Sequence, residues 1–228
     1  MAILTERDRK VTEVSVGRTT LANVVRECQT EDVVALAIDA QLTFSISRET
    51  GFRASDDRLR ELLPGDFRHR VAAYNSLMAV PLRGTALAAA VSPFVGTIIE
   101  THPTACMLLA LEGEGVHSAV KGYKRARRKA EDRVARDNDC RPYCERLWEQ
   151  WTARFGLPAE APKPMSDGAV DAVVTATVAW LYHREPEQLW KLATGESDEV
   201  GRGPFWVIKP DAMFSKSVES RTTEGKAA

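Results

Sequence analysis

No apolar run in this chain approaches the roughly 20 residues that a membrane-spanning helix needs. The longest, around residues 86–95, is broken by Ser92 and Pro93, so no membrane span is expected. The first ten residues are charged rather than apolar, which argues against a secretory leader. Cys28, Cys106, Cys140 and Cys144 are accordingly expected to be reduced thiols of a cytoplasmic protein. Cys140 and Cys144 form a C-x3-C pair that could supply half of a zinc site, but no second Cys/His pair has matching spacing, so ordinary thiols are expected. His69, His102, His117 and His183 are scattered without HExxH spacing, and Gly17, Gly84, Gly113 and Gly115 form no phosphate-cradling loop. No Ser or Cys stands in a G-x-S-x-G elbow. Zinc-protease, P-loop and hydrolase-triad chemistry are therefore poorly supported. Neither sign of charge dominates: 31 Lys and Arg against 32 Asp and Glu leave a net charge of -1. That balance excludes a basic nucleic-acid coat and an acidic solvating tail, so any binding of a polyanion must be local.

What is present is enough apolar sequence for a real core, 44% of 228 residues, which fits one domain over residues 1–214. Residues 215–228 are polar and aperiodic and read as a disordered tail. Residues 2–5 and 11–16 have strand-like composition around a charged turn and predict an antiparallel hairpin. Residues 21–29 carry Leu21, Val24, Val25 and Cys28 at helical spacing, with Thr20 as N-cap. Residues 33–38 form an unbroken aliphatic run, as in a strand covered on both faces. Helices are predicted over 56–63, 82–91 and 104–111, with a short buried strand over 96–100 that Pro103 stops from continuing. A helical insertion occupies about 112–165: one long helix over 118–151, interrupted near Pro142, and then a proline-rich linker. An alanine- and valine-rich helix from Asp167 to His183 and an edge strand over 203–208 complete the chain. The order reads as α/β with a mixed sheet, antiparallel at its beginning and parallel later, flanked by helices.

Three of these apolar elements end on, or carry, a carboxylate. Asp39 follows the run over 33–38 and stands at the carboxyl end of a strand, where sites in open α/β sheets gather. It could equally cap the following turn. Glu100 ends the next strand and His102 lies two residues on, although a solvated strand end has the same pattern. Asp167 and Asp171 are four apart and share one face of their helix. Asp167 could be its N-cap, whereas Asp171 is flanked by Val170, Ala172, Val173 and Val174. Carboxylates distant in sequence and attached to core elements can converge on one point and hold Mg²⁺ or Mn²⁺. Residues 121–129 are the most basic stretch, with six positive charges in nine residues. Lys121, Tyr123, Lys124, Arg125, Arg127 and Arg128 suit phosphate contact and base stacking, against the alternative of a solvated helix face.

The phrases Ala37-Ile38-Asp39-Ala40-Gln41-Leu42, Ile99-Glu100-Thr101-His102-Pro103-Thr104-Ala105 and Asp167-Gly168-Ala169-Val170-Asp171-Ala172 resemble the motifs of an uncharacterised family of predicted RNase H-like nucleases. Arg53-x-x-Asp56-x-x-Leu59-Arg60 and Tyr123-Lys124 also look like that family's intervening motifs, and the likeness extends over about residues 2–208. The resemblance implies an RNase H-like fold and metal-dependent cleavage of nucleic-acid phosphodiesters. Asp39, Glu100 and Asp171 would be catalytic, with Asp167 joining them around one or two cations, and Arg53, Asp56, Arg60 and His102 would lie near the site. Two departures stand out. Gln41 replaces the family's usual proline, and the family's first strand, which carries Gly-x-Asp, is expected to be lacking here. A catalytically impaired nucleic-acid-binding or scaffold protein is the competing expectation. A small-molecule phosphotransferase on the related actin-like fold lacks its glycine-rich phosphate loops.

Overall fold

Two residues with left-handed backbone open the structure. Strands β1 (Ala2–Arg7) and β2 (Lys10–Val16) pair antiparallel, and Asp8 and Arg9 between them adopt φ of 53° and 62°. A two-residue loop with positive φ at both positions matches the right-handed twist of its flanking strands, which makes the hairpin tight. The computed structural model describes residues 1–77, 79–113, 115–124, 133–158, 160, 161, 163, 166–192, 199–201 and 204–210. The expected tail over 215–228 lies outside them.

Helix α1 (Leu21–Thr30) starts at Thr20, whose hydroxyl accepts from the Asn23 amide at 3.2 Å and satisfies one of the unpaired donors of the first turn. Strand β3 (Ala35–Ile38) follows and pairs in parallel with β5 (Thr97–Glu100), in a register that sets Ile38 opposite Glu100. Helices α2 (Ala54–Leu62) and α3 (Ala79–Val91), with two 3₁₀ turns between them, form the crossover from the short strand β4 (Thr43–Ser45) to β5. Beyond β5, α4 (Pro103–Ala110) begins with His102 as N-cap and Pro103 in its first turn, where the missing N–H costs nothing. Every residue of α4 is buried, as an all-round apolar helix must be.

Among the described residues the expected single helix over 118–151 is broken after Tyr123, where α5 (Val116–Tyr123) ends, and α6 (Arg133–Phe155) is a separate element. Nor does Pro142 interrupt α6, which runs through it. Helix α7 (Asp167–Arg184) packs against β1, β2 and β3 on one side and against α4 and α6 on the other. The hairpin is tied to its far end: Glu6 accepts from Arg184 Nε at 2.7 Å and from Trp180 Nε1 at 3.1 Å. Strands β6 (Leu189–Lys191) and β8 (Trp206–Ile208) pair antiparallel, β7 (Glu199–Gly201) pairs with β4, and Phe205 bridges in parallel to Glu100.

The architecture is thus mixed α/β, with an antiparallel hairpin and a parallel pair. Among the described residues no hydrogen-bonded ladder joins β1–β2 to β3–β5, and the two meet through α7. The main core lies between these strands and α4, α6 and α7, and smaller clusters sit under α1 and α3 on the opposite face of β3 and β5. All four cysteines are buried. No helix among the described residues is long and apolar enough to cross a membrane.

Candidate functional site at the ends of the parallel strands

The parallel register delivers Asp39 and Glu100 to the same edge, one directly after β3 and the other as the last residue of β5. A polar cleft of about 210 Å³ opens there, with both carboxylates in its wall. His102, Arg53, Asp56, Arg70 and Lys124 complete its ionisable lining. Sequence distance gave no warning of this grouping, because Arg53 and Arg70 arrive from the crossover and Lys124 from the end of α5.

Glu100 is not open to a ligand. Its Oε1 accepts from Arg53 Nη2 at 2.6 Å, and its Oε2 accepts from Arg53 Nη1 at 2.8 Å and from the Leu42 amide at 2.8 Å. The other side of the Arg53 fork is taken by Asp56, which accepts at 2.7 Å and 3.0 Å. Thr43 Oγ1 accepts from Arg53 Nη1 at 2.7 Å. Arg53 is wholly buried, and Glu100 and Asp56 almost so. Burial pushes the Glu100 carboxyl up and the Arg53 contacts pull it back; Arg53 itself is raised, its two carboxylate partners outweighing the cost of its own burial. Planar fork-to-carboxylate geometry of this kind fixes orientation as well as charge. The expected metal role of Glu100 thus meets a carboxylate whose oxygens are already committed.

Asp39 and Asp171 are arranged differently. Asp171, on the second turn of α7, accepts from the Tyr123 hydroxyl at 2.9 Å and from Lys124 Nζ at 2.9 Å. Burial raises its pKa to about 6, with Lys124 opposing the rise and Asp39 adding to it. Asp39, 132 positions away in sequence, still meets solvent at the rim of the cleft, and crowding by the protein raises its carboxyl while Lys124 lowers it. Burial works against the Lys124 ammonium, but Asp171 and Asp39 outweigh it and hold the group charged.

The remaining expected residues fall into place unevenly. His102 Nδ1 accepts from the Ala105 amide at 3.2 Å, so its Nε2 carries the proton and donates to the Arg70 carbonyl at 3.2 Å. With both nitrogens bonded and burial lowering its pKa, His102 is a neutral helix cap rather than a proton carrier. Asp167 is the first residue of α7; it accepts from the Gly168 amide and does not line the cleft. Arg60 lies over the Phe52 ring at 4.6 Å and is likewise absent from the lining. Tyr123 is completely buried with its hydroxyl shared between Thr104 and Asp171, so its ring is not available for base stacking. Lys121 is exposed and 3.7 Å from Asp66, and Arg125, Arg127 and Arg128 lie outside the described residues.

Reasoning from sequence passed over Arg70, which sits in an arginine-rich polar stretch and looks there like any solvated cation. It also treated Gln41 only as a departure from a motif. Among the described residues no set of three or more His, Cys, Asp or Glu side chains is grouped so as to hold a metal ion. The four expected ligands accordingly do not fit a two-cation cage: Glu100 is sealed by Arg53 and Asp167 lies off the cleft. Asp171 is ion-paired to Lys124 at 2.9 Å, and Asp39 and Lys124 both line the cleft. No protein-family model matches the chain, and no curated protein or solved structure matches it either.

Proposed function

We propose that the cleft is the site of a divalent-cation-dependent nuclease of RNase H-like type, with Asp39 and Asp171 as the carboxylates that face the cation. The observation that carries this reading is the ion pair of Asp171 with Lys124 at 2.9 Å, with Lys124 and Asp39 lining one polar cleft beside the carboxyl ends of the parallel strands. Burial raises the carboxyl pKa of both acids, and such perturbation clusters where chemistry is done. A divalent cation there would polarise a phosphoryl oxygen and lower the pKa of a bound water. Lys124 would exchange its carboxylate partners for a phosphate oxygen, and the half-buried Arg70 would orient the same group. Lys121 extends this positive rim on the exposed face of α5. Tyr123 and Thr104 would hold Asp171 in its rotamer through the buried hydroxyl pair, 2.8 Å apart.

The second reading is a nucleic-acid-binding or scaffold protein without catalysis, and the sealing of Glu100 by Arg53 favours it. Mn²⁺ titration by calorimetry, with cleavage of labelled single-stranded and branched nucleic acid in parallel, separates the two. On the nuclease reading, Asp39→Asn/Asp171→Asn loses both cation binding and cleavage while its fold is kept. Nucleic-acid binding by the folded parent chain without cation binding or cleavage establishes the scaffold reading instead.

A further inference from the structure

The same cleft also holds two unpartnered polar atoms, one on Gln41 and one on Arg70. Gln41 is buried, and its Nε2 donates to Asp56 Oδ2 and to the Ala72 carbonyl, each at 3.1 Å. Both partners can only accept, so the amide orientation is fixed and Oε1 is the atom left over. That Oε1 has no hydrogen-bond partner, and Arg70 Nε is in the same condition. Both residues line the cleft, and both atoms are closed to bulk water, so solvent does not repair either one. Buried polar groups of this kind are nearly always paired, and an orphan pair in one cavity wall calls for an explanation.

The two orphans are complementary in kind. Gln41 Oε1 needs a donor, and Arg70 Nε–H needs an acceptor. A phosphate offers oxygens to Arg70 and nothing to Gln41, and it would meet the Asp39, Asp56 and Glu100 carboxylates in the same wall. The charged lining favours a neutral guest, because those three carboxylates face three cations, Arg53, Arg70 and Lys124, and His102 is neutral. The rest of the wall is apolar, supplied chiefly by Val71, Leu77, Val80 and Phe205. The cavity of about 210 Å³ exceeds more than tenfold the roughly 10–15 Å³ of such space that one water needs, which leaves room for a ring-sized guest.

We propose that this cleft accepts a single unpaired nucleobase whose edge sets an N–H beside an acceptor, as N3–H and O4 of uracil or N4–H and N3 of cytosine do, with the N–H donated to Gln41 Oε1 and Arg70 Nε–H donated to the acceptor. The inference rests on the nucleic-acid reading for the origin of the base and deepens it by naming what is recognised. An unpaired or extruded base meets the requirement that its edge be free and its ring separated from its neighbours. The base occupies the cleft floor, and the Asp39–Lys124–Asp171 cluster remains at the rim for the phosphodiester beside it. Seating the guest requires the wall to part slightly, since both orphan atoms are screened from a water-sized visitor in the free protein.

The test uses the full chain in EDTA, with uridine, 3-methyluridine and cytidine titrated by NMR chemical shift. Uridine is expected to bind saturably. 3-Methyluridine, which has lost the N–H, is expected to bind at least about tenfold more weakly, whereas cytidine, which sets its N4–H beside the N3 acceptor, is expected to bind as uridine does. Arg70→Met is expected to weaken uridine by a similar factor. Because the ligand series leaves the protein unaltered, the result does not depend on any variant folding. Equal binding of uridine and 3-methyluridine, or no binding of uridine by folded protein at millimolar concentration, overturns the proposal. Competition by a single-stranded oligonucleotide containing one uridine identifies a base within a strand, and its absence identifies a free nucleoside. Since EDTA removes any cation, failure here leaves the Mn²⁺ and cleavage results to judge the nuclease reading separately.

Discussion

Two charged clusters meet at one cleft and have opposite characters. In the first, Arg53 lies between Glu100 and Asp56, wholly buried, with its fork filled by carboxylate oxygens and its remaining reach taken by Thr43. In the second, Lys124 is paired with Asp171, Asp39 keeps solvent contact in the same cleft wall as Lys124, and burial raises the Asp171 pKa to about 6. The first cluster is satisfied and therefore structural: it fastens the segment after β3, the start of α2 and the end of β5 to one another. The second is open to solvent at Asp39, which is the condition in which acids bind cations or move protons. Burial and charge are present in both, so the difference lies in how completely each carboxylate is already bonded.

The sharpest way to break the comparison is Arg53→Met. It leaves Glu100 and Asp56 buried without their partner, and loss of one member of such a buried set costs about 3–5 kcal/mol. Urea unfolding should show a midpoint lowered accordingly with the slope unchanged, and a loss below about 1 kcal/mol would mean that water replaces the arginine freely. The matching change in the open cluster, Lys124→Met, should destabilise much less. Its main effect should be a further rise in the Asp171 pKa, on the order of 1 unit or more, because an adjacent opposite charge lowers a carboxyl by about 1–3 units. Carboxyl NMR titration reads that shift, and no movement would show that Lys124 does not act on Asp171 in solution.

A smaller effect concerns pH and stability. The Asp171 pKa of about 6 lies above its ordinary 3.8, so the folded state binds that proton more tightly than the unfolded state does. Stability from this group is therefore fully present below about pH 3.8 and is lost as pH rises through about 6. Asp171→Asn removes the slope, so the variant should gain on the parent between about pH 4 and pH 7, on the order of 1 kcal/mol. Urea unfolding at intervals across that range checks the sign, and a variant that loses ground to the parent as pH rises contradicts it.

Much of the framework was legible because it is local. Alternating residues around a charged turn specify the hairpin, Thr20 caps α1 through a neighbour three positions on, and the aliphatic runs before Asp39 and Glu100 specify buried strands. The long helix predicted over 118–151 was misjudged for the opposite reason. Helical composition continues across the basic stretch, whereas α5 ends at Tyr123, where the ring enters the core and its hydroxyl reaches α7. Pro142 was read as a breaker, yet α6 carries it, held in place by the burial of Cys140, Cys144, Leu147 and Trp148 around it. Tyr123 itself was assigned to the surface from its basic neighbours, and only its partners Thr104 and Asp171 reveal a buried hydroxyl.

The sequence by itself determined that acids stand at the ends of apolar strands and on an apolar helix, since element type and strand ends follow from residue spacing over a few positions. Tertiary structure alone decided which of those acids are free. Arg53 seals Glu100 across 47 positions, and Lys124 pairs with Asp171 from another part of the chain while Asp39 stays exposed. The physical reason is that a carboxylate's availability depends on the donors within about 3 Å of its oxygens. Periodicity carries information about faces and ends, and none about which distant side chain arrives there.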